Sequence, residues 1–281
     1  MELDAFLAER PGLFALAYRM LGSAAEAEDV LQEAWLRADR SGAVENPGAW
    51  LTTVVTRLCL DVLGSARVRR EAYVGPWLPE PLVQDGPEQA AELADSVSMA
   101  FLVLLEELSP AERAAFLLRD VFGFGYPEVA GMLERSEAAC RQLVSRAHAH
   151  VDSRRTRFTA DRAHAQELAL TFLFACQTGD LAAVTTMLAA DAVLISDGGG
   201  KVSAARRPVL GADRVGRFLI GVLAKPGPPI DYRPAIVNGE PGVIGLVDGV
   251  VITAVAVEVR DEVISGIRIV SNPDKLARVP V

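Results

Sequence analysis

The chain has few of the side chains that metal sites and acid–base catalysis use most. Its 281 residues include only three histidines and three cysteines. Cys59, Cys140 and Cys176 lack the spacing of metal ligands, and each lies in an apolar helical pattern that is typical of small core residues. We therefore expect no metal site and no cofactor.

The sequence also lacks a basic leader and a long uninterrupted apolar run. Residues 1–10 are acidic, whereas a secretory signal begins with a basic stretch. The longest apolar run, residues 243–257, is interrupted by Asp248 and rich in valine, which favours paired strands over a membrane span. We expect a cytoplasmic protein with no membrane partner.

Positive charge is scarce overall, and this argues against a non-specific nucleic-acid binder. The net charge is −9, which is the wrong sign for such a protein. The arginines nevertheless gather in two patches: residues 135–157 contain six against two acidic residues, and residues 57–71 contain four against two. We therefore expect weak binding to free DNA, with a partner that supplies the missing affinity.

Residues 127–147 have the pattern of a helix-turn-helix. Apolar residues such as Val129, Cys140 and Val144 recur at helical spacing, so one side can pack inward. Ser136 stands where a second helix would begin and can cap its first turn. The outward face then carries guanidinium and amide groups that can reach phosphates and base edges.

The rest of the chain divides by composition. Residues 1–71 and 96–157 have helical apolar periodicity, and the proline-rich residues 72–95 between them read as a linker. Residues 158–281 begin with two helical patterns and continue with valine-rich strands, including a hairpin that turns near Asp261, which favours an α+β domain.

Three stretches, 25–38, 46–63 and 108–147, make residues 1–157 resemble an extracytoplasmic-function (ECF) sigma factor of bacterial RNA polymerase. The resemblance implies two all-α domains, region 2 (1–71) and region 4 (96–157), with core RNA polymerase and promoter DNA as partners. An acidic flank on the second helix would dock on the polymerase. Its members are Glu28, Asp29, Gln32 and Glu33.

The resemblance also assigns two groups of DNA contacts. The minus-ten element would be melted and its unpaired base captured by Asn46 and Trp50, while Thr53 and Arg57 on the same helix reach the strand backbone. Arg67, Arg69 and Arg70 would contact upstream duplex phosphates. The minus-thirty-five element would be read by Arg135, Ser136, Arg141, Gln142, Ser145 and Arg146. Two residues depart from the common pattern. Gly64 stands where the family often has an arginine, so the basic face has fewer positive charges, and Glu134 stands in the turn where many such motifs have glycine.

Residues 158–281 resemble the SnoaL-like fold, a curved antiparallel sheet wrapped by helices around a cone-shaped pocket. Some relatives are enzymes, but this domain has no histidine beyond His164. Its candidate carboxylates are not paired at a spacing that indicates acid–base catalysis; they are Asp197, Asp231 and Asp248. We therefore predict that it is not an enzyme. An unidentified small molecule in the pocket stays open as a partner.

A subgroup of these sigma factors carries this extension together with two further motifs, a DGGGK loop and a WLPEP-like linker segment. In that subgroup the extension is thought to contact the sigma core in place of a separate anti-sigma protein, so we expect none here. We predict that the loop and the NPDKL segment, which lies at the end of the last predicted strand, form a surface that receives the Trp77 segment of the linker. The residues concerned are Trp77, Leu78, Pro79, Glu80 and Pro81; Asp197, Gly198, Gly199, Gly200 and Lys201; and Asn272, Pro273, Asp274, Lys275 and Leu276.

Two alternative functions fit the sequence less well than a sigma factor does. A ligand-sensing helix-turn-helix regulator would need neither the acidic flank of 25–38 nor the separate element at 46–63. An enzyme fused to a DNA-binding module would need the acid–base groups that the C-terminal sequence lacks. The sequence therefore favours a promoter-specificity subunit with a regulatory third domain.

Overall fold

The computed structural model describes residues 1–41, 44–71, 73–84, 98–151 and 162–280, with the backbone alone at 66–71, 84 and 162. The chain forms two compact units. One contains Met1–Glu71 and Leu102–Arg155, and the other contains Ala72–Phe101 and Thr156–Val281. The described part of the predicted linker therefore belongs to the same unit as the C-terminal domain.

The first unit begins with three helices, as the apolar periodicity predicts. They are α1 (Leu3–Leu21), α2 (Ala24–Arg40) and α3 (Pro47–Glu71). Ser23 starts α2, since its hydroxyl accepts a hydrogen bond from the amide of Glu26 at 3.2 Å. The helices bury one apolar face each, and Leu16, Leu31 and Leu51 are almost fully shielded from solvent.

The unit continues with the predicted helix-turn-helix. The helices are α4 (Met99–Glu106), α5 (Pro110–Phe116), a π-helical turn (Leu117–Val121), α6 (Tyr126–Leu133) and α7 (Glu137–Val151). Residues 99–101 of α4 belong to the second unit. Ser109 and Glu112 form a capping box at the start of α5. The predicted cap at Ser136 is confirmed, because its hydroxyl accepts from the amide of Ala139 at 3.2 Å.

The turn of this motif accommodates Glu134 where glycine is common. Glu134 has φ 51° and ψ 45°, a left-handed conformation that ends α6. For a residue with a side chain this conformation costs roughly 1–2 kcal/mol. The neighbouring amide of Arg135 bonds the carbonyl of Ala130 at 3.0 Å, so the turn still closes.

The second unit places helices against one mixed sheet. Its helices are α8 (Arg162–Thr178), α9 (Leu181–Met187), α10 (Ala212–Leu223) and α11 (Pro273–Leu276). The strands are β1 (Val83–Gln84), β2 (Leu188–Asp197), β3 (Val209–Leu210), β4 (Asp231–Val237), β5 (Glu240–Val247), β6 (Val250–Arg260) and β7 (Val263–Val270). Within the described residues their order is β1-β4-β5-β6-β7-β2-β3.

The strand pairing agrees with the predicted hairpin and adds one feature. Strands β6 and β7 pair antiparallel and turn at Asp261 and Glu262, both with positive φ. The pairing register shifts within β2, β5 and β6, so the ladders are interrupted at these points. The sheet is not antiparallel throughout, because β2 and β7 pair in parallel. Among the described helices, none has the length and hydropathy to cross a membrane.

Candidate functional site

The acidic residues predicted to dock on core polymerase lie on the surface of α2. Asp29 and Gln32 are exposed, whereas Glu28 and Glu33 are partly buried. Glu28 forms an ion pair with Arg10 at 2.6 Å, and both side chains keep substantial exposure. Glu33 likewise pairs with Arg37 at 2.9 Å, so Asp29 and Gln32 are the exposed members of the flank.

The first residues predicted to contact the minus-ten element lie at the start of α3. Asn46 is exposed and caps the helix, because its side-chain oxygen accepts from the amide of Ala49 at 3.1 Å. Thr53 donates its hydroxyl hydrogen to the carbonyl of Ala49 at 2.9 Å, and Trp50 is partly buried. The predicted contacts of Arg67, Arg69 and Arg70 lie outside the described side chains.

Arg57, predicted to reach the DNA backbone, binds the C-terminal end of α6. Its guanidinium donates to the carbonyls of Met132 and Gly131 at 3.3 and 3.4 Å and pairs with Glu134 at 3.0 Å. A cation is favoured there by the helix dipole. In this arrangement Nε and Nη2 of Arg57 bind partners within the protein, while the side chain stays 45% exposed.

The residues predicted to read the minus-thirty-five element share one exposed face. Cys140 and Val144 on the opposite face of α7 are buried, as predicted. Arg141 forms an ion pair with Glu137 at 2.7 Å and lies 4.4 Å from the ring centre of Tyr126. The exposed residues are Arg135, Ser136, Arg141, Gln142, Ser145 and Arg146.

In the second unit, the side chain of Asp197 is the centre of a polar cluster that binds the linker. It accepts hydrogen bonds from the Tyr73 hydroxyl at 2.6 Å and from the Leu78 amide at 2.9 Å. It also pairs with Lys275 at 2.7 Å, although the Asp197 side chain is fully buried. Asn272 donates from its side-chain nitrogen to the Tyr73 hydroxyl at 2.9 Å. We call Tyr73, Leu78, Asp197, Asn272 and Lys275 the Asp197 cluster.

Lys275 neutralises the buried carboxylate and holds the WLPEP segment. Its ammonium donates to the Leu78 carbonyl and lies 4.1 Å from the ring centre of Trp77. Such a cation–π contact strengthens when the cation is desolvated, and the Lys275 side chain is only 12% exposed. Burial, together with the hydrogen bond to Asp197, raises the pKa of Tyr73, so its hydroxyl remains a donor at neutral pH.

The glycines of the DGGGK loop leave room for the linker and for the Asn272 side chain, which pack directly against them. Gly199 has φ 60°, and a Cβ atom on it would lie 2.4 Å from the side-chain nitrogen of Asn272. Gly200 has φ 72°, and its Cβ atom would approach Val74 of the linker to 3.0 Å. Lys201 points away to an exposed ion pair with Asp274 at 2.6 Å. The loop thus packs against the linker through its backbone.

The remainder of the linker continues across the same domain. The backbone amide of Asn238 donates to the Leu82 carbonyl at 2.8 Å, and the Leu82 amide donates to the side-chain oxygen of Asn238 at 3.0 Å. Val83 in β1 then pairs with Val237 at the edge of β4. The buried residues of the motif are Leu78, Pro79, Glu80 and Pro81.

A buried carboxylate that the sequence analysis missed binds the start of α4. Glu240 is 1% exposed and accepts a hydrogen bond from the amide of Met99 at 3.1 Å. Burial raises its pKa to about 7, while nearby Arg268 lowers it and Glu258 raises it. Neither Glu240 nor Tyr73 belongs to a recognisable motif, so only the folded structure identifies them.

Replacing Glu240 with glutamine is expected to remove a pH dependence of stability. A carboxyl group whose folded pKa lies above its unfolded value stabilises the fold when protonated, so this contribution is lost as pH rises from about 5 to about 8. The native domain should lose on the order of 2–3 kcal/mol over this range from this group. Amide exchange of β5 at several pH values measures it. The exposed Glu262→Gln substitution is the control, and an unchanged pH slope in Glu240→Gln contradicts the assignment.

The sheet and helices of the second unit also form an apolar cavity of about 190 Å³ that is partly open to the surface. It is lined from α8, α10 and strands β4–β7, with Phe172, Leu219 and Val257 among the contributors. The described residues around it include no charged side chain. Its polar atoms come mainly from Tyr232, Thr253 and Ser271.

Comparisons with known proteins agree with this architecture. The family models for Sigma-70 region 2 and Sigma-70 region 4 match residues 5–70 and 98–151. The chain is 42% identical to the ECF RNA polymerase sigma factor SigJ of Mycobacterium tuberculosis over 296 residues, covering 100% of this chain and 95% of SigJ. It is 32% identical to the Probable ECF RNA polymerase sigma factor SigI of the same species, covering 97% and 93%.

A solved structure extends the agreement to the C-terminal domain. The crystal structure of Mycobacterium tuberculosis SigJ matches with a TM-score of 0.80 at 39% identity, covering 98% of each chain. The predicted fold class, two helical sigma regions followed by an α+β domain, is therefore confirmed. The chain belongs to the ECF sigma factors, the RNA polymerase subunits that direct promoter-specific initiation of transcription.

Proposed function

We propose that the C-terminal domain of this sigma factor modulates promoter recognition by holding the connection between its two sigma regions. In this assignment residues 1–71 are region 2, 72–95 the linker, 96–157 region 4 and 158–281 the modulating domain. The observation that carries the proposal is the Asp197 cluster, which binds the linker through two buried charges. Glu240 adds a contact to the first amide of α4.

Both sides of the connection are thereby attached to one domain. Residues 73–84 contact Asp197, Lys275 and Asn238, and the start of α4 contacts Glu240. If the contacts of residues 73–84 or the contact of Glu240 with α4 are released, more residues between regions 2 and 4 are free to extend. Because about 25 nucleotides at 3.4 Å each separate the centres of the two promoter elements, roughly 85 Å, the free length of this connection bears directly on promoter reading.

The surface residues divide between polymerase and DNA in the same proposal. The acidic flank of α2 docks on core polymerase, and the start of α3 reads the minus-ten element. The exposed face of α7, together with Arg135 and Ser136 in the turn before it, reads the minus-thirty-five element. Support comes from the exposure of Asp29, Gln32, Asn46 and the minus-thirty-five residues, and from the arginine and glutamine chemistry that suits bases and phosphates. Acting on promoter DNA, the protein would work in the cytoplasm.

The C-terminal domain acts, in this proposal, as a built-in regulator without catalysis, and no separate anti-sigma protein is required. The domain and the linker belong to the same chain, so the effective concentration of the domain at the linker is high. The cavity lining supports a non-catalytic role, since its described residues offer no carboxylate, imidazole or amine for acid–base chemistry.

Replacing Trp77 with alanine tests the proposal. The substitution removes the ring that Lys275 contacts at 4.1 Å while leaving the Asp197 carboxylate in place. We expect promoter-directed transcription by the reconstituted holoenzyme to change several-fold, because linker docking weakens by the roughly 1–2 kcal/mol typical of a partly desolvated cation–π contact. The assay uses core polymerase, full-length protein and a promoter selected with the wild-type holoenzyme.

Asp274→Asn is the matched control for this experiment. It lies in the same NPDKL segment, but its ion pair with Lys201 is exposed and contributes little. Transcription by this variant should equal that of the wild type. If Trp77→Ala and Asp274→Asn both leave transcription unchanged while core binding is intact, the modulation proposal is wrong.

A further inference from the structure

We propose that the apolar cavity of the C-terminal domain binds a neutral molecule about the size of one aromatic ring that carries a hydroxyl or carbonyl group. We further infer that its occupant strengthens docking of the linker. The binding site stands on the cavity alone, whereas the effect on docking rests on the proposed function above.

The size of the cavity sets the size of its occupant. Protein interiors rarely contain voids larger than a water molecule, and an unfilled apolar void lowers stability. An apolar cavity of about 150 Å³ engineered into another protein stays dry and binds benzene. The cavity here is about 190 Å³ and is naturally present, so it accommodates a single ring with a small substituent.

The lining determines the chemistry of that molecule. Phe172, Leu219, Val257 and Ile267 surround the cavity with apolar surface, and each is at least nine-tenths buried. A charged ligand would lose its hydration without gaining an opposite charge, because the described lining residues carry none. The site therefore selects a neutral molecule.

One group of polar atoms can orient the ligand. Thr253 and Ser271 both line the cavity, and the Ser271 hydroxyl donates to the Thr253 hydroxyl oxygen at 3.1 Å. The hydrogen of the Thr253 hydroxyl is then left to donate to a ligand oxygen. Burial raises the pKa of Tyr232, which keeps this third lining residue neutral as well. The arrangement suits a phenol, an alcohol or a ketone.

The cavity wall continues directly into the contacts that hold the linker. The amide of Ser271 donates to the Asp197 carbonyl at 2.8 Å, and the next residue, Asn272, binds the Tyr73 hydroxyl. On the other side, Gly242 lines the cavity two residues after Glu240, which binds the start of α4. An occupant that orders these walls also orders the linker contacts, and the coupling must be reciprocal.

Binding can be tested with two fluorinated probes of similar size. We expect 4-fluorophenol to bind the full-length protein, with broadening of its ¹⁹F resonance and a Kd between about 10 µM and 1 mM, as suits a ligand of this size. Its anionic counterpart 4-fluorobenzoate should bind at least tenfold more weakly. Failure of 4-fluorophenol to bind, or equal binding of the two probes, overturns the proposal.

Variants locate the probe in the cavity. Ala169→Phe fills the cavity from α8 and should weaken 4-fluorophenol binding at least tenfold, whereas Leu170→Phe adds the same ring on the exposed side of that helix and should not. Thr253→Val preserves the shape, so it should weaken 4-fluorophenol but not fluorobenzene. This comparison decides the outcome even if Ala169→Phe fails to fold. Equal affinities across these proteins place the probe elsewhere and overturn the site.

The effect on docking has its own measurement. Saturating 4-fluorophenol should slow amide exchange of Leu78 at least threefold, and Trp77→Ala should weaken probe binding in return. Unchanged exchange with a bound probe overturns the coupling and leaves the binding site standing. If Trp77→Ala leaves transcription unaffected while 4-fluorophenol still binds, the proposed function fails and the cavity site does not.

Discussion

Replacing Asp197 with asparagine should destabilise the C-terminal domain by about 3–5 kcal/mol, because it leaves the charge of Lys275 buried without the opposite charge that compensates it. The Asp197 side chain is fully buried and that of Lys275 is 12% exposed, so solvent can screen little of this charge. Asparagine has nearly the same shape, and therefore the loss reports the charge and not a cavity. Urea-induced unfolding measures the free energy, and amide exchange at Leu78 reports release of the linker.

Two comparisons separate this effect from general damage. Asp197→Asn combined with Lys275→Met removes both charges and should recover much of the lost stability, since an uncompensated charge is no longer buried. Asp274→Asn removes a carboxylate from an exposed pair and should cost less than about 1 kcal/mol. Equal losses in Asp197→Asn and Asp274→Asn would show that the buried pair has no special role.

Replacing Arg113 with methionine should destabilise the first unit by about 3 kcal/mol or more. Arg113 is 3% exposed and donates to the carbonyl of Met20 and to Glu106 at 2.5 and 2.6 Å. Burial lowers the pKa of its guanidinium to about 10, which still leaves it charged at neutral pH. Methionine keeps the apolar stem but leaves the carbonyl of Met20 without this donor and removes the cation beside Glu106.

This substitution should also uncouple the two sigma regions. Met20 belongs to region 2 and Arg113 to region 4, so their contact contributes to cooperative unfolding of the unit. We expect the variant to unfold in a broader transition with a lower denaturant dependence. Arg37→Met, which breaks an exposed i,i+4 pair with Glu33, is the control. A variant with wild-type stability and slope refutes this role for Arg113.

The elements with strong periodicity could be predicted from the sequence, and the linker contacts only in part. The helix-turn-helix follows from apolar spacing and the cap at Ser136, and the β6–β7 hairpin follows from two valine-rich strands around Asp261. The parallel pairing of β2 with β7 could not be predicted, because the alternation of buried and less buried residues along β2 is the same whichever direction its neighbour runs.

Only some residues of the Asp197 cluster could be predicted from the sequence. The DGGGK and WLPEP segments were predicted to meet, but Tyr73 and Glu240 were not predicted to take part. Their partners are more than 120 residues away along the chain, so no local spacing indicates them. Arg57 illustrates the opposite case: its residue type suits DNA, and the protein itself provides carbonyl and carboxylate partners for it.

In the proposed function, the C-terminal domain modulates the sigma factor through the contact between Trp77 and the Asp197 cluster. A double-mutant cycle in promoter-directed transcription tests it most directly, using Trp77→Ala, Asp197→Asn and the double variant with core polymerase. Because both substitutions release the same docked segment, the double variant should change transcription no more than the stronger single variant. Fully additive effects, or no effect from either single variant, would contradict the claim.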